Sequence, residues 1–252
     1  ERVVRRTPGR RTGAIRSRPA DGSPAAAPAA LGSVRLMAFK GWPAEALDFY
    51  EGLEADNTKT YWNEHKAFYD EQVKGPMLAL LDELAPELGE GKIFRPYRDV
   101  RFSADKTPYK TNIGAMVGTY GYAHLGADGL AAGRGYYVMA KDQLDRYRRS
   151  VVADATGAAL EDVIAGLEKD GYEVTAHDTL KTAPRGYPKD HPRIELLRMK
   201  GLAAWKQWEP APWLGTARAK DRLLAFYCAA QPLQDWLDTN VGPTELEDPR
   251  RR

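Results

Sequence analysis

Apolar residues first recur at a helical interval just after Pro43, where Ala46, Phe49, Tyr50 and Leu53 share one side of a short amphipathic segment over 43–53. Asn57-Thr58 is a start signal for a second helix, with Tyr61, Trp62, His65, Phe68, Tyr69 and Val73 on one side. Pro76 bends or restarts it, and Met77, Leu80, Leu81 and Leu84 continue the stripe until Pro86 and Gly89/Gly91. His65 is expected as a packed, hydrogen-bonded residue of this aromatic face. From Lys92 the period shortens towards two. In KIFRPYRDVRFS, Phe94, Val100 and Phe102 stand on one parity, while Arg95, Tyr97, Asp99 and Arg101 stand on the other. Pro96 marks an edge or an irregularity in that strand. Gly121–Leu125 and Gly135–Ala140 are two further strands, joined by a long Gly-rich loop, GADGLAAGR.

Helical spacing returns at Lys141. Leu144, Tyr147 and Val151 form one face, then Leu160, Val163, Ile164 and Leu167 another, ended by Asp170-Gly171. Asp190 is a candidate cap for a helix bearing Ile194, Leu197 and Gly201, and a last helical region carries Leu223, Leu224, Tyr227, Leu233, Trp236 and Leu237. The order of helices, sheet, helices predicts an α+β fold with a central, mostly antiparallel sheet packed against N-terminal and C-terminal helices. Residues 37–240 are expected to form a single domain, and 241–252 a charged tail that frays.

Composition changes the picture at the N-terminus. Residues 1–36 hold eight Arg against two acids and no aromatic residue, a charge of +6, so residues 37–252 sum to −4 against +2 for the whole chain. Such a segment has too little apolar surface to order itself. It is expected to be a disordered basic leader, either an over-extended start upstream of Met37 or an arm for nucleic acid or a membrane surface. The chain shows no apolar run of membrane-spanning length. Its one cysteine, Cys228, excludes an internal disulfide and a Cys-based zinc site, and is expected to be a buried thiol within LLAFYCAA. Together these features predict a cytoplasmic protein with no cofactor and no membrane partner.

The densest polar stretch is RPYRDVRFSADKTPYKT, residues 95–111. Asp99 can hold an Arg in a fixed fork, which leaves Arg98, Arg101, Lys106 and Lys110 for a carboxylate or phosphate. Tyr109, and Tyr187 from the second basic segment KTAPRGYPKDHP, would wall the pocket if the two segments meet. Asp105 is the candidate proton carrier should the protein be an enzyme acting on a small phosphorylated or carboxylated metabolite. The same residues also fit an internal salt-bridge network that pins the strand to its loop. A third reading is a non-catalytic nucleic-acid-binding or protein-interaction module, since cations and aromatics interleave here. Phosphate-loop, dinucleotide, HExxH and GxSxG signatures are absent, and the four histidines lack metal-ligand spacing.

FYEGLEADNTKTYWNEHKAFYDEQVKGPM, KIFRPYRDVRFSADKTPYKTNIG, GYYVMA and RGYPKDHPRIELLRMKG together resemble the bacterial domain-of-unknown-function family 2461. The resemblance carries no biochemical activity. It implies signature positions at Asn57, Trp62, Arg98, Asp99, Arg101, Phe102, Ser103, Asp105, Lys106, Pro108, Tyr109 and Lys110, then Gly186, Tyr187, Pro188 and Lys200. Many members carry a Gly-rich segment after the YY-containing strand, whereas here YYVMA runs directly into KDQLDRYRRS, so a site shaped by that segment would be altered.

Overall fold

Six antiparallel strands make the platform of this protein in the computed structural model, which describes residues 38–101 and 103–246. The predicted basic leader therefore lies outside the described residues, as do Phe102 and 247–252. The strands are β1 (Lys92–Ile93), β2 (Asn112–Val117), β3 (Gly121–Gly126), β4 (Gly129–Tyr136), β5 (Glu173–Thr175) and β6 (Leu202–Trp208). Their order across the sheet is β1-β2-β3-β4-β6-β5, every pair antiparallel. The α+β class predicted from the element order is the observed one.

Helices α1 (Glu45–Ala55), α2 (Lys59–Phe68) and α3 (Gly75–Leu88) precede the sheet. The Thr58 hydroxyl caps α2 by accepting from Tyr61 N at 3.2 Å, as its position before the apolar stripe predicts. Pro76 restarts the helix through a π-helical stretch, Tyr69–Lys74, whose Val73 carbonyl accepts from the Trp42 indole at 3.1 Å. After β4 come α4 (Lys141–Val152), α5 (Asp154–Lys169), the short α6 (Ile194–Arg198), α7 (Arg218–Ala229) and α8 (Gln231–Asn240). No side chain caps α6, so the cap predicted for Asp190 is not made; ahead of the helix His191 Nδ1 accepts from the Arg193 amide at 3.0 Å. His65 matches its expectation, stacked on Tyr61 with Nδ1 at 2.8 Å from the Tyr61 carbonyl.

The sheet is covered on one face. Ile113, Ala115, Val117, Leu125, Leu130 and Leu202 are all buried and point at the helices. Arg134 belongs to the same face, where Nη1 donates to the Tyr227 carbonyl of α7 at 2.9 Å. The core behind this face also takes Leu80, Leu223, Phe226 and Leu237 from α3, α7 and α8. Residues of the other parity, among them Met116, Tyr122, His124 and Trp205, stay half-buried on the opposite face.

Several predicted bounds need correction. The strand expected over 92–103 pairs only at Lys92–Ile93; beyond it the chain leaves the sheet and returns through an isolated bridge, Tyr97↔Tyr109. The Gly-rich GADGLAAGR is a tight turn followed by β4, with Leu125↔Leu130 and Gly126↔Gly129 in register. Strands β2, β5 and β6 are additional to the predicted set, and β6 replaces the expected continuation of the helix towards Trp205. Cys228 is exposed rather than buried, because it lies on the side of α7 away from Phe226 and Tyr227. Residues 241–246, expected to fray, are tied to α4: Arg146 donates to the Val241 and Pro243 carbonyls, and Asp142 accepts from Thr244 and Glu245.

Candidate functional site

The segment with the densest charge folds as an irregular hairpin between β1 and β2. Its arms are joined by Arg98 N to the Pro108 carbonyl at 2.9 Å and by Lys110 N to the Pro96 carbonyl at 2.8 Å. The root is clamped from α2's leading edge. Asn57 Nδ2 donates to the Tyr109 carbonyl and Asn57 Oδ1 accepts from Tyr109 N, at 3.1 and 3.0 Å. The Tyr109 ring then stacks on Trp62 at 4.5 Å between centroids, only 10° from parallel. Tyr109 is thus a core residue that seats the hairpin, not the pocket wall expected of it.

Charges at the hairpin tip largely satisfy one another. Asp99 accepts from Arg101 through both carboxylate oxygens, at 2.9 and 2.6 Å, which is the fork expected between Asp99 and an Arg. Asp105 accepts from the Thr107 amide at 2.9 Å and pairs with Arg98, whose guanidinium also reaches the Thr107 hydroxyl. The Lys106 ammonium donates to the Val100 carbonyl at 2.9 Å. These hydrogen bonds hold Asp99 and Asp105 down at about 2. A carboxylate so acidic is a poor proton carrier near neutral pH, which argues against the general-acid role considered for Asp105. The tip matches the internal-network reading.

Tyr187 lies elsewhere. Its loop leaves β5 and enters β6 at the sheet end defined by Tyr136↔Leu202, beside the outer strand β5. The charged hairpin joins β1 and β2 on the far side of the sheet, at the end defined by Asn112↔Gly126. The two basic segments are therefore rooted at opposite corners. Tyr187 packs half-buried against the core.

Lys110 is different from its neighbours. Its ammonium sits 5.3 Å from the centroid of Phe94, and burial, followed by the nearby Arg95, pushes its pKa down. Phe94 borders a cleft of about 600 Å³ on the sheet face opposite the helices described above. The floor of this cleft is aromatic. Phe94 stacks on Tyr122 at 6.1 Å and Tyr122 on Trp205 at 5.9 Å, with His124 within 5.8 Å of both Tyr122 and Trp205. The rings lie down because the strands beneath them carry glycine. A Cβ on Gly133 would stand 2.8 Å from the Trp205 ring, and one on Gly114 would stand 2.9 Å from the Tyr122 hydroxyl. Exposed Tyr137 and Val138 form the outer rim. Burial pushes the His124 pKa down, and its Nδ1 is unpartnered among the described residues.

At the β2–β3 turn the cleft adjoins a second, polar chamber of about 240 Å³; Thr119, Tyr120, Gly121 and Arg134 border both. Neither the aromatic floor nor this chamber is apparent in the sequence. The available signal was the alternation Tyr122/His124 opposite Gly133 and Trp205, which becomes meaningful only once the register is known. No group of three or more His, Cys, Asp or Glu among the described residues is placed to hold a metal ion. Nor is any helix among them long and apolar enough to cross a membrane.

The molecule is therefore an α+β protein whose helix-backed antiparallel sheet presents a ligand-sized aromatic cleft on its free face. The chain belongs to the family described as conserved hypothetical protein (DUF2461), which matches residues 45–236. No curated protein and no solved structure matches it.

Proposed function

We propose that this protein binds a small planar anion in the aromatic cleft, its ring against Tyr122 and Trp205 and its charge towards Lys110. The observation that carries the reading is the Phe94–Tyr122–Trp205 row, with neighbouring ring planes within 30° of parallel, on a half-buried face at a volume suited to a small molecule. An aromatic row on a folded surface offers stacking of roughly 1–3 kcal/mol per ring. Lys110, already partly desolvated, adds an attraction that grows as bound ligand displaces water from around it. The anionic-metabolite reading of the sequence is retained, with its place moved from the self-paired hairpin tip to the cleft. A phosphate or a carboxylate would each suit a lysine, which acts as a mobile point charge.

One observation favours a second reading. An open antiparallel face with rings lying flat is also a stacking platform for single-stranded nucleic acid. Opposing it, residues 37–252 sum to −4, and Arg98 and Arg101 of the tip are engaged by Asp105 and Asp99.

Titration of the full chain with 2-naphthoate, 2-naphthyl phosphate and a short single-stranded oligonucleotide, followed through the tryptophan indole resonances, separates these readings. Either naphthyl anion should shift the Trp205 indole, and Trp205→Ala should weaken its binding tenfold or more. Saturation by the oligonucleotide alone would transfer the cleft to nucleic acid. Silence of the Trp205 indole to both naphthyl anions overturns the small-anion reading.

A further inference from the structure

His124 belongs to the aromatic floor of the cleft but does not lie flat in it. Its ring is inclined by 57° to Tyr122 and by 42° to Trp205, at 5.5 and 5.8 Å between centroids. Its register partners on β2 and β4 are Gly114 and Ala131, so nothing larger than a methyl group flanks the ring on either strand. The ring nitrogens meet different surroundings. Nδ1 is sealed within the protein and has no hydrogen-bond partner among the described residues. Nε2 is likewise unbonded among them but is not sealed, and the residue borders the cleft.

That asymmetry assigns the proton. On Nδ1 it would leave a buried N–H with no acceptor, whereas a lone pair is the cheaper group to strand there. The neutral ring therefore carries its proton on Nε2, which makes the open nitrogen a donor only. Burial favours the neutral form by pushing the pKa down from the ordinary 6.5, against a smaller opposing effect of the Asp128 carboxylate. The nearest other polar group of the floor is the Tyr122 hydroxyl, held over Gly114, where an added Cβ would stand 2.9 Å from it. A hydroxyl both gives and takes hydrogen bonds, so it accommodates a donor or an acceptor; Nε2–H accommodates only an acceptor. Thr119, Tyr120 and Arg134 border the cleft at the β2–β3 turn, beyond Tyr122 from His124.

We infer that His124 is a specificity-determining residue of the cleft, its Nε2–H donating to an acceptor atom built into the ligand's ring system, an aza nitrogen or a ring carbonyl oxygen. The inference rests on the cleft reading proposed above and deepens it to a substrate class: planar heteroaromatic anions in place of carbocyclic ones. A ring that rests on both Tyr122 and Trp205 has an edge beside His124, because the imidazole adjoins each of them. An all-carbon ring in the same place takes water from Nε2–H and returns no acceptor, which costs affinity.

A positional scan of one probe tests it. Replacing a CH of the unsubstituted ring of 2-naphthoate by nitrogen gives quinoline-6-carboxylate, quinoline-7-carboxylate, isoquinoline-6-carboxylate and isoquinoline-7-carboxylate. They keep the acid in place and present the acceptor at each position of that ring in turn, so the test does not depend on how the ring is turned in the cleft. At about pH 8 both the aza nitrogens and His124 are neutral. In calorimetric titrations of the full chain, at least one isomer should bind about fivefold or more tightly than 2-naphthoate, the yield of one well-made hydrogen bond. His124→Phe should erase that advantage while still binding 2-naphthoate. In the unmutated chain, nitrogen-15 resonances of the His124 ring should place the proton on Nε2 in the free state, and the Nε2 resonance should move with the favoured isomer, a readout that does not depend on the variant folding. Isomers that all bind no more tightly than 2-naphthoate, an advantage that survives in His124→Phe, or a free-state proton on Nδ1 overturns the donor role and leaves the cleft in place. Binding of 2-naphthoate that is indifferent to Trp205→Ala overturns the cleft reading itself, and the donor role with it.

Discussion

Asp99 and Asp105 stand at opposite sides of one hairpin tip, and both are held at about 2 by hydrogen bonds rather than by burial. Arg101 supplies the largest effect on Asp99, and the Thr107 amide the largest on Asp105, with Arg98 next. Each carboxylate is more acidic folded than unfolded, so its contribution to the tip is complete above the ordinary value of 3.8 and is lost as pH falls through about 2. Exchange of the Thr107 amide proton, corrected for intrinsic rate, should therefore be flat from neutrality to about pH 4 and lose protection between about 4 and 2. Loss of protection already near pH 6 would show that the carboxylates are not what orders the tip. The sequence made this pairing partly legible. Asp99 beside cations in a short stretch suggests an Arg fork, and Arg101 forms it. It could not show that Lys106 bonds the Val100 carbonyl, because that depends on the path of a loop that follows no regular period.

Strands were harder to read than helices, for a reason the cleft explains. Rings that lie flat need glycine or alanine under them, and this removes the large residues by which alternation is recognised. β4 carries Gly129, Ala131, Gly133 and Gly135 on its free face, so GLAAGRGY reads as a loop. β6 opens on Leu-Ala-Ala after a glycine, which suits a helix end as well as a strand. Helices α1–α5 retain apolar stripes against one core and were legible for that reason. The same elements link the cleft to the C-terminal segment through Gln143 on α4. Gln143 Oε1 accepts from Ala140 N at 3.0 Å, its Nε2 donates to the Gly242 carbonyl at 2.8 Å, and the residue borders the cleft. Gln143→Ala strands both partners and should lower the unfolding free energy by about 1–3 kcal/mol in urea titration. Gln143→Glu keeps the acceptor for Ala140 and loses the donor to Gly242, so it should fall between the two. An alanine variant as stable as the parent would mean that water replaces both bonds without penalty.

Across the whole molecule, the sheet separates what composition suggested might act together. The hairpin bearing Lys106 is rooted at the β1–β2 side, and the loop bearing Tyr187 at the β6–β5 side and the other strand end. A shared anion pocket would couple the two residues; separate corners would not. Lys106 is exposed and its visible bond is to one carbonyl, so Lys106→Ala should cost about 0.5 kcal/mol or less. Tyr187→Ala should cost more, about 1–3 kcal/mol, because half of an aromatic side chain leaves the core. The double variant should equal the sum within about 0.5 kcal/mol, as expected for sites without common partners. Coupling above about 1 kcal/mol in urea titrations of the four proteins would bring the two segments into contact and restore the single basic pocket. Additivity, with naphthoate binding undisturbed in Lys106→Ala, would leave the charged hairpin as a self-contained scaffold and the aromatic face as the place where a ligand is met.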